Sequence, residues 1–526
     1  MKSIMTHTTV TSGAKAAVLG LALVGLVNCS SSDDTTPAVT SGGSAGLSSP
    51  LVFVNNTGDK SLTSVALKGD SGNAVVGTIP AAEFENAALG DMQFTDGDWL
   101  FLNLAAANKV STIDPLTAAT PVHEANLATG TRPVHIYRDS NDGEVVWSMN
   151  NGDNAGGTLT PGDDLVNCAS QGGGSVTALH NSHLGPGGTP PFVLGTTCLL
   201  ADGHKVAAFS SGAGVPKRVF VTSEDAGEMA VIEDDEASAD YRKMIKRIYL
   251  CNSAKETTPC NNESATPITT AFTPNSSVPH GIRWSKLTKK VYSILEGYHN
   301  IVEIDPTTLA ISKTFDLAGT PYTSYGISPD GRFLLLRGNT TPPTGTKLGV
   351  VDLSSAATPR TDFTIPELDG TSTGSFKFSP DGKRFYILAG NAAASTKKDR
   401  LFAFDASTLT ATPPALTLIK EIQLIAGGDS AGFSAAHSLD VLAQGAGEAK
   451  YIVVSNKADN SLSIINATDN LIKQTVTNVG SLPGALIVYA PGTTAAGNQA
   501  TASITGGSKA KTSALPEQLG DHGMPQ

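Results

Sequence analysis

Four of the ten histidines have similar surroundings in the sequence, because each lies close to the start of a short apolar run. They are His135, His204, His280 and His437. Imidazole is a common transition-metal ligand, and it can also hold the carboxylates of a bound cofactor. We therefore predict a transition-metal or cofactor site if the fold brings these side chains together. The alternative is four separate histidines that line a channel or lie in turns, since spacing alone does not establish convergence.

Other residues have candidate binding chemistry. Arg132 and Tyr322 also lie near the starts of apolar runs and could bind an anionic ligand, with ordinary packing as the alternative. Residues 150–164 are rich in Asn, Asp and Gly, a chemistry that suits calcium, although the EF-hand spacing is absent and a polar surface loop is the alternative. The chain has no GxSxG, HExxH or GxxxxGK motif, so no catalytic residues are identified and a non-enzyme is favoured.

The elements that must position these residues are short strands in a repeating module. The clearest copy covers residues 279–315, in which four β-branched or apolar runs are separated by turn residues. Ser-Pro-Asp-Gly at 328–331 and 379–382 predicts a hairpin between the first and second strands. Ile-Asp-Pro at 113–115 and 304–306 marks a second turn, after the third strand. Four-stranded modules that repeat every 40–60 residues or so are typical of an all-β propeller.

These runs resemble the YVTN-type propeller repeat. Residues 51–56 and 451–456 match its second strand, which ends in Asn, and residues 461–466 match its third strand. The resemblance implies a β-propeller over residues 51–490 and indicates little about function. Counting the strands predicts eight blades, with seven as the alternative. Because the chain enters at a second strand and leaves at a first strand, strands from both chain ends should close the ring.

In a propeller the first strands line the central channel, and binding sites usually lie at one mouth of it. The four histidines would therefore lie at or near a mouth. This resembles, in architecture alone, the propellers of cytochrome cd1 and nitrous oxide reductase, whose channel histidines bind haem or copper. The adjacent His-His pair of the copper enzyme is absent here. The cofactor is left unknown by the sequence, and a haem or a transition metal is the one that this analogy implies if the histidines converge.

The N-terminus resembles a bacterial lipoprotein signal. An apolar run over residues 16–27 is too short to span a bilayer and is followed by Asn28 and Cys29. The resemblance implies that residues 1–28 are removed, that Cys29 is lipidated, and that Ser31 favours the outer membrane. An ordinary cleaved signal or an uncleaved anchor is the alternative. Residues 29–50 are predicted to be a flexible tether, and residues 491–526 a disordered tail.

Four further cysteines suggest two disulfides in an exported protein. We favour Cys168–Cys198 and Cys251–Cys260, because each pair is local in the sequence. The two other pairings of these four cysteines remain open, as do buried free thiols.

The composition narrows the possible functions. The chain of 526 residues has a net charge of −12 and only 16% charged residues, which argues against a nucleic-acid partner. We predict an envelope-anchored propeller that binds an envelope protein or a small ligand. The alternatives are a periplasmic redox or metal- or haem-binding propeller, and a lactonase-like hydrolase.

Overall fold

The computed structural model describes most of the chain between residues 49 and 490, together with residues 520–521. The segments outside the description are 1–48, 97, 116–119, 153–173, 182–189, 200–202, 259, 261–273, 339–346, 356–359, 369–370, 392–398, 425–435, 491–519 and 522–526. Among the described residues, none forms a helix that is both long enough and apolar enough to cross a membrane.

The described strands form eight four-stranded antiparallel blades in a ring, which confirms the predicted propeller and its blade number. Blades 1–4 contain β1 (Leu51–Asn56), β2 (Ser61–Ala66), β3 (Ala74–Ile79), β4 (Leu89–Phe94), β5 (Leu100–Leu104), β6 (Lys109–Asp114), β7 (Val122–Ala128), β8 (Pro133–Arg138), β9 (Val145–Asn150), β10 (Ser175–His180), β11 (Phe192–Cys198), β12 (Ala207–Ser210), β13 (Arg218–Ser223), β14 (Glu228–Glu233) and β15 (Met244–Tyr249).

Blades 5–8 contain β16 (Pro279–Ser285), β17 (Lys290–Leu295), β18 (Asn300–Asp305), β19 (Ala310–Asp316), β20 (Ser324–Ile327), β21 (Phe333–Gly338), β22 (Lys347–Asp352), β23 (Arg360–Phe363), β24 (Thr371–Phe378), β25 (Arg384–Asn391), β26 (Arg400–Asp405), β27 (Thr417–Gln423), β28 (Ala436–Gln444), β29 (Glu448–Asn456), β30 (Ser461–Asn466) and β31 (Leu471–Thr477). Short 3₁₀ helices cover Ala81–Phe84, Ala105–Ala107, Glu296–Tyr298, Pro366–Leu368 and Ser407–Thr410.

The ring closes as the sequence predicts. The last long strand, β32 (Pro483–Tyr489), pairs antiparallel with β1 and becomes the inner strand of blade 1. The ring of Tyr489 stacks on Phe94 of blade 2 with the centroids 4.6 Å apart, so the closing strand also packs against the next blade. This pairing covers the edge that β1 would otherwise expose.

The hydrophobic core lies between the faces of neighbouring blades. Every residue of β1 and β5 is buried, whereas the fourth strands β7 and β19 are mostly exposed or half-buried. This gradient follows from the geometry, because the second strands lie within the sheet and are covered by neighbouring blades on both faces, whereas the fourth strands form the outer edge. Each fully buried Val, Leu, Ile or Phe side chain contributes about 1.5–3 kcal/mol relative to exposure.

The Ser-Pro-Asp-Gly turns form the predicted hairpins. The backbone N–H of Phe333 donates to Ser328 Oγ at 2.8 Å, and that of Arg384 donates to Ser379 Oγ at 2.9 Å. Gly331 adopts φ of 81°, a left-handed value that favours glycine. The two turns therefore join β20 to β21 and β24 to β25.

A buried asparagine recurs at the end of second strands. The Nδ2 atom of Asn56 donates to Ser61 Oγ at 2.9 Å and to Thr63 Oγ1 at 3.0 Å. Asn150 makes the same pair of bonds to the hydroxyls of Ser175 and Thr177. In blade 8, Asn456 repeats the pattern with Ser461 at 3.0 Å and Ser463 at 2.9 Å. The amide thus ties the second strand to the start of the third.

One disulfide lies within the described residues. Cys251 and Cys260 are bonded, as predicted, with their Cα atoms 5.9 Å apart. Cys198 is also disulfide-bonded, whereas Cys168 lies outside the described residues.

Two carboxyl groups meet at the seam between blades 3 and 4. Asp139 and Asp234 are hydrogen-bonded to each other, and Asn141 Nδ2 donates to Asp234 Oδ2 at 2.8 Å. Burial raises the pKa of both carboxyls, and the neighbouring Asp139 raises that of Asp234 further. The folded protein therefore holds a proton that the unfolded chain releases above its ordinary carboxyl pKa.

We expect Asn456→Ala to lower the free energy of unfolding by about 1–3 kcal/mol, because it leaves two hydroxyls without their buried donor. Asn466→Ala is the matched control, since Asn466 also makes two hydrogen bonds but is more exposed. Urea unfolding measures both. Equal losses in the two variants would show that the buried amide has no special role.

Stability should fall as pH rises, because the folded state retains the proton shared by Asp139 and Asp234. Between about pH 5 and pH 9 we expect a steeper fall for the wild type than for Asp234→Asn, whose amide donates without titrating. Urea unfolding over a pH series tests this, with the exposed turn variant Asp459→Asn as control. Parallel curves for wild type and Asp234→Asn would contradict the prediction.

Candidate functional site

Three of the four candidate histidines lie together at one mouth of the channel. His135 is on β8 of blade 3, His204 precedes β12 of blade 4, and His280 is on β16 of blade 5. The ring centroids of His135 and His204 are 4.8 Å apart, and those of His204 and His280 are 5.3 Å apart. The fourth histidine, His437, lies on β28 of blade 8, and its side chain is outside the described residues.

The histidines occupy different registers of their inner strands, and local backbone features bring their rings together. In β16 the register shifts between Pro279 and Ile282, and Gly281 within this bulge has φ of 42°. Gly203, directly before His204, has φ of 94°, and an added Cβ would lie 2.6 Å from the carboxyl of Asp225. These two glycines thus allow the chain to turn where His280 and His204 enter the mouth.

An acidic side chain orients the deepest imidazole. His135 Nδ1 is in contact with Asp91 Oδ2, and the two side chains are only 7% and 6% exposed. Asp91 is on β4 of blade 2. A histidine that donates one ring N–H to a carboxylate presents the lone pair of its other nitrogen. Here that other nitrogen, His135 Nε2, lies 3.2 Å from His204 Nε2, a spacing that also suits one N–H···N hydrogen bond.

The outer imidazole is held in a similar way. His280 Nδ1 lies 2.9 Å from the carbonyl oxygen of Thr323 and 3.0 Å from Glu296 Oε1. The Glu296 oxygen is buried but makes no well-aligned hydrogen bond. His280 is 21% exposed, three times as much as His135, so the row of rings runs from the solvent inward.

A third carboxyl group, that of Glu224, lies beside this mouth. Burial raises the pKa of Glu224, the charge of His280 lowers it, and the charges of Glu296 and Asp225 raise it further. The Glu224 N–H donates to the carbonyl of His204 at 3.0 Å, which places this loop beside the histidine. Several carboxylates around neighbouring imidazoles favour a bound cation. Among the described residues, however, no group of three or more His, Cys, Asp or Glu side chains is already arranged to hold a metal ion.

The other predicted site residues do not join this row. The Tyr322 hydroxyl donates to Asp362 Oδ1 at 2.7 Å, and the ring is fully buried within blade 6. Arg132 is exposed and has φ of 61°, its N–H donating to Asn108 Oδ1 at 2.8 Å. The loop considered for calcium, residues 150–164, lies outside the described residues beyond Gly152.

Three acidic residues of the site, Asp91, Glu224 and Glu296, are not among those that the sequence motifs indicate. Aligning the first strands would have found Asp91, since both it and His135 stand two places after the first residue of their strands. Glu224 and Glu296 lie in loops between second and third strands, where no repeated pattern marks them.

No family model and no curated protein matches the chain, so the YVTN type of the repeat stays a prediction. Solved structures share the fold. AztD from Citrobacter koseri aligns with a TM-score of 0.53 at 12% identity, over 84% of this chain and 98% of that one. The dihydro-heme d1 dehydrogenase NirN, solved in complex with DHE, aligns with a TM-score of 0.51 at 12% identity, over 83% of this chain and 74% of that one. These similarities show a β-propeller fold and do not identify a function, so the function must be inferred from the geometry of the site.

Proposed function

We propose that the protein is a binding propeller whose ligand is a divalent transition-metal ion, held at the channel mouth by His135 and His204 with His280 completing the site. The observation that carries this proposal is the facing pair of Nε2 atoms, 3.2 Å apart. Two imidazole nitrogens on one tetrahedral zinc ion, each at about 2.05 Å, would lie about 3.3 Å apart. The two nitrogens therefore already have the separation of two ligands of one ion.

The third ring supports the same proposal. Imidazoles bound to one tetrahedral ion would have centroids about 5.2 Å apart, close to the 5.3 Å between His204 and His280. Since no three-ligand group is preformed among the described residues, His280 must turn toward the ion when it binds. Asp91 would keep the His135 ring in place, as the outer partners of metal-bound histidines commonly do.

A metal ion fits this site better than a haem. With their nitrogens 3.2 Å apart, His135 and His204 would have to separate before a macrocycle could lie between them. NirN, which has a similar fold, is a dihydro-heme d1 dehydrogenase, but the likeness of this chain to it extends to the fold alone. A lactonase-like hydrolase would also need carboxyl groups at the channel mouth. If the protein had that function, it would hydrolyse lactones as well as bind a metal ion.

Calorimetric titration of the whole chain with Zn²⁺ tests the proposal. We expect one ion per chain, with binding lost in His135→Ala and His204→Ala and weakened about 10–100-fold in Asp91→Asn. His123→Ala is the matched control, because His123 also contacts a carboxylate, Glu83, but lies on the outer strand β7. Absence of stoichiometric binding, or binding that His135→Ala and His204→Ala leave unchanged, would overturn the proposal.

We also propose that the protein is exported and anchored to the bacterial envelope through Cys29, with the outer membrane favoured. Support comes from the lipoprotein-like signal and from the Cys251–Cys260 disulfide, because such bonds persist in oxidising compartments. Labelled palmitate should enter the wild type and Cys260→Ser but not Cys29→Ser. Equal labelling of Cys29→Ser would contradict lipidation at this residue.

A further inference from the structure

The Cys251–Cys260 disulfide closes a loop that follows β15, between blades 4 and 5. We call residues 250–258 and Cys260 the disulfide loop. Its first part forms a helical turn, in which the N–H of Glu256 donates to the carbonyl oxygen of Asn252 at 3.1 Å. Residues 252–255 are exposed, whereas Glu256 is half-buried because its side chain contacts blade 5.

The carboxylate of Glu256 joins two segments of blade 5. Its Oε1 atom accepts from the hydroxyl of Tyr298 and, in Ser276, from the backbone N–H at 2.7 Å and from Oγ at 2.6 Å. The Tyr298 hydroxyl in turn accepts from the N–H of Asn252 at 3.2 Å. Hydrogen bonds from Ser276 and Tyr298 lower the pKa of Glu256, so these are bonds to a charged group, which are stronger than neutral ones. The disulfide loop is thereby tied to the turn that carries Glu296 and to the segment that leads into β16.

The Glu296 turn packs closely against the segment before β16. The N–H of Glu296 donates to the carbonyl oxygen of Val278 at 3.0 Å. A Cβ added at Gly297 would lie 1.8 Å from the carbonyl oxygen of Ser276, so the two backbones are in close contact. His280 follows Val278 by two residues. The position of the Glu296 turn therefore affects the position of His280.

The same region of the chain holds the turn that carries Glu224, in blade 4. The N–H of Leu250 and the Nδ2 atom of Asn275 both donate to the carbonyl oxygen of Gly227, at 3.0 Å and 2.9 Å. Gly227 has φ of 65°, and an added Cβ would lie 2.2 Å from Asn275 Oδ1. The N–H of Gly227 donates to the carbonyl oxygen of Ser223 at 3.0 Å and so closes the Glu224 turn.

The two turns bring like charges close together. Besides burial, the charges of Glu296 and Asp225 raise the pKa of Glu224. Without a cation these carboxyl groups repel one another when ionised, which favours separation of the turns. Contacts that oppose the separation keep the mouth in the geometry that a cation needs. Preorganisation of this kind raises affinity without adding a ligand.

We propose that the disulfide loop is a clamp, which positions the Glu224 and Glu296 turns at the histidine row and so raises the affinity of the mouth for a metal ion. The effect on affinity rests on the proposed metal site, whereas the clamp itself is a property of the metal-free protein. Glu256 and Tyr298 act through the backbone of these segments, which makes them positioning residues.

Calorimetric titration with Zn²⁺ tests the effect on affinity. In the whole chain, Cys251→Ser and Cys260→Ser are introduced together, because free thiols would themselves bind zinc. We expect an affinity about tenfold lower than that of the wild type. The matched control combines Cys168→Ser with Cys198→Ser, since Cys198 ends the outer strand β11 of blade 3, and it should retain the wild-type affinity. Wild-type affinity in the Cys251→Ser/Cys260→Ser protein would overturn the inference.

A variant that keeps the disulfide provides a second test. Tyr298→Phe removes the hydroxyl that joins Asn252 to Glu256 and leaves the buried ring in place. We expect the affinity for Zn²⁺ to fall at least about threefold. Tyr451→Phe is the matched control, because the Tyr451 hydroxyl also donates to a carboxylate, that of Asp70 at 2.7 Å, but joins blades 8 and 1. Equal losses in the two variants would count against the clamp.

Amide hydrogen exchange of the metal-free protein separates the clamp from the metal site. In Cys251→Ser/Cys260→Ser, exchange at Glu296 and Gly227 should be at least about tenfold faster than in the wild type. Gly331, whose N–H is bonded within a turn of blade 6, is the reference and should change little, since turn amides exchange by local opening. A wild type that binds no zinc but shows this pattern would refute the metal site and retain the clamp. Unchanged exchange at Glu296 and Gly227, or an equal change at Gly331, would refute the clamp.

Discussion

The pairing of β32 with β1 is the contact on which the rest of the structure depends. A blade buries its faces only against its two neighbours, so an open ring would expose apolar faces and unpaired edges at both ends. Closure by strands from opposite ends of the chain covers the apolar faces and pairs the strand edges at the same time. It also sets the curvature of the ring and thereby the distance between side chains on successive blades.

The histidine row is a consequence of this closure. Asp91, His135, His204 and His280 come from four consecutive blades and meet because their inner strands start at the same rim. Carboxyl groups contact the imidazoles at both ends of the row, Asp91 at His135 and Glu296 at His280. In the proposed metal site, His280 would have to turn toward the ion, because no three-ligand group is preformed among the described residues.

Local interactions made the fold predictable. Ser-Pro-Asp-Gly turns, asparagines such as Asn456 and the alternation of apolar runs act over a few residues, so the sequence by itself determined the blades, their number and their closure. It also indicated which histidines begin inner strands. Only the tertiary structure decided that His135, His204 and His280 meet, that Asp91 joins them and that Tyr322 does not. Those contacts depend on bulges, loop paths and ring curvature, which arise from packing between blades far apart in the sequence.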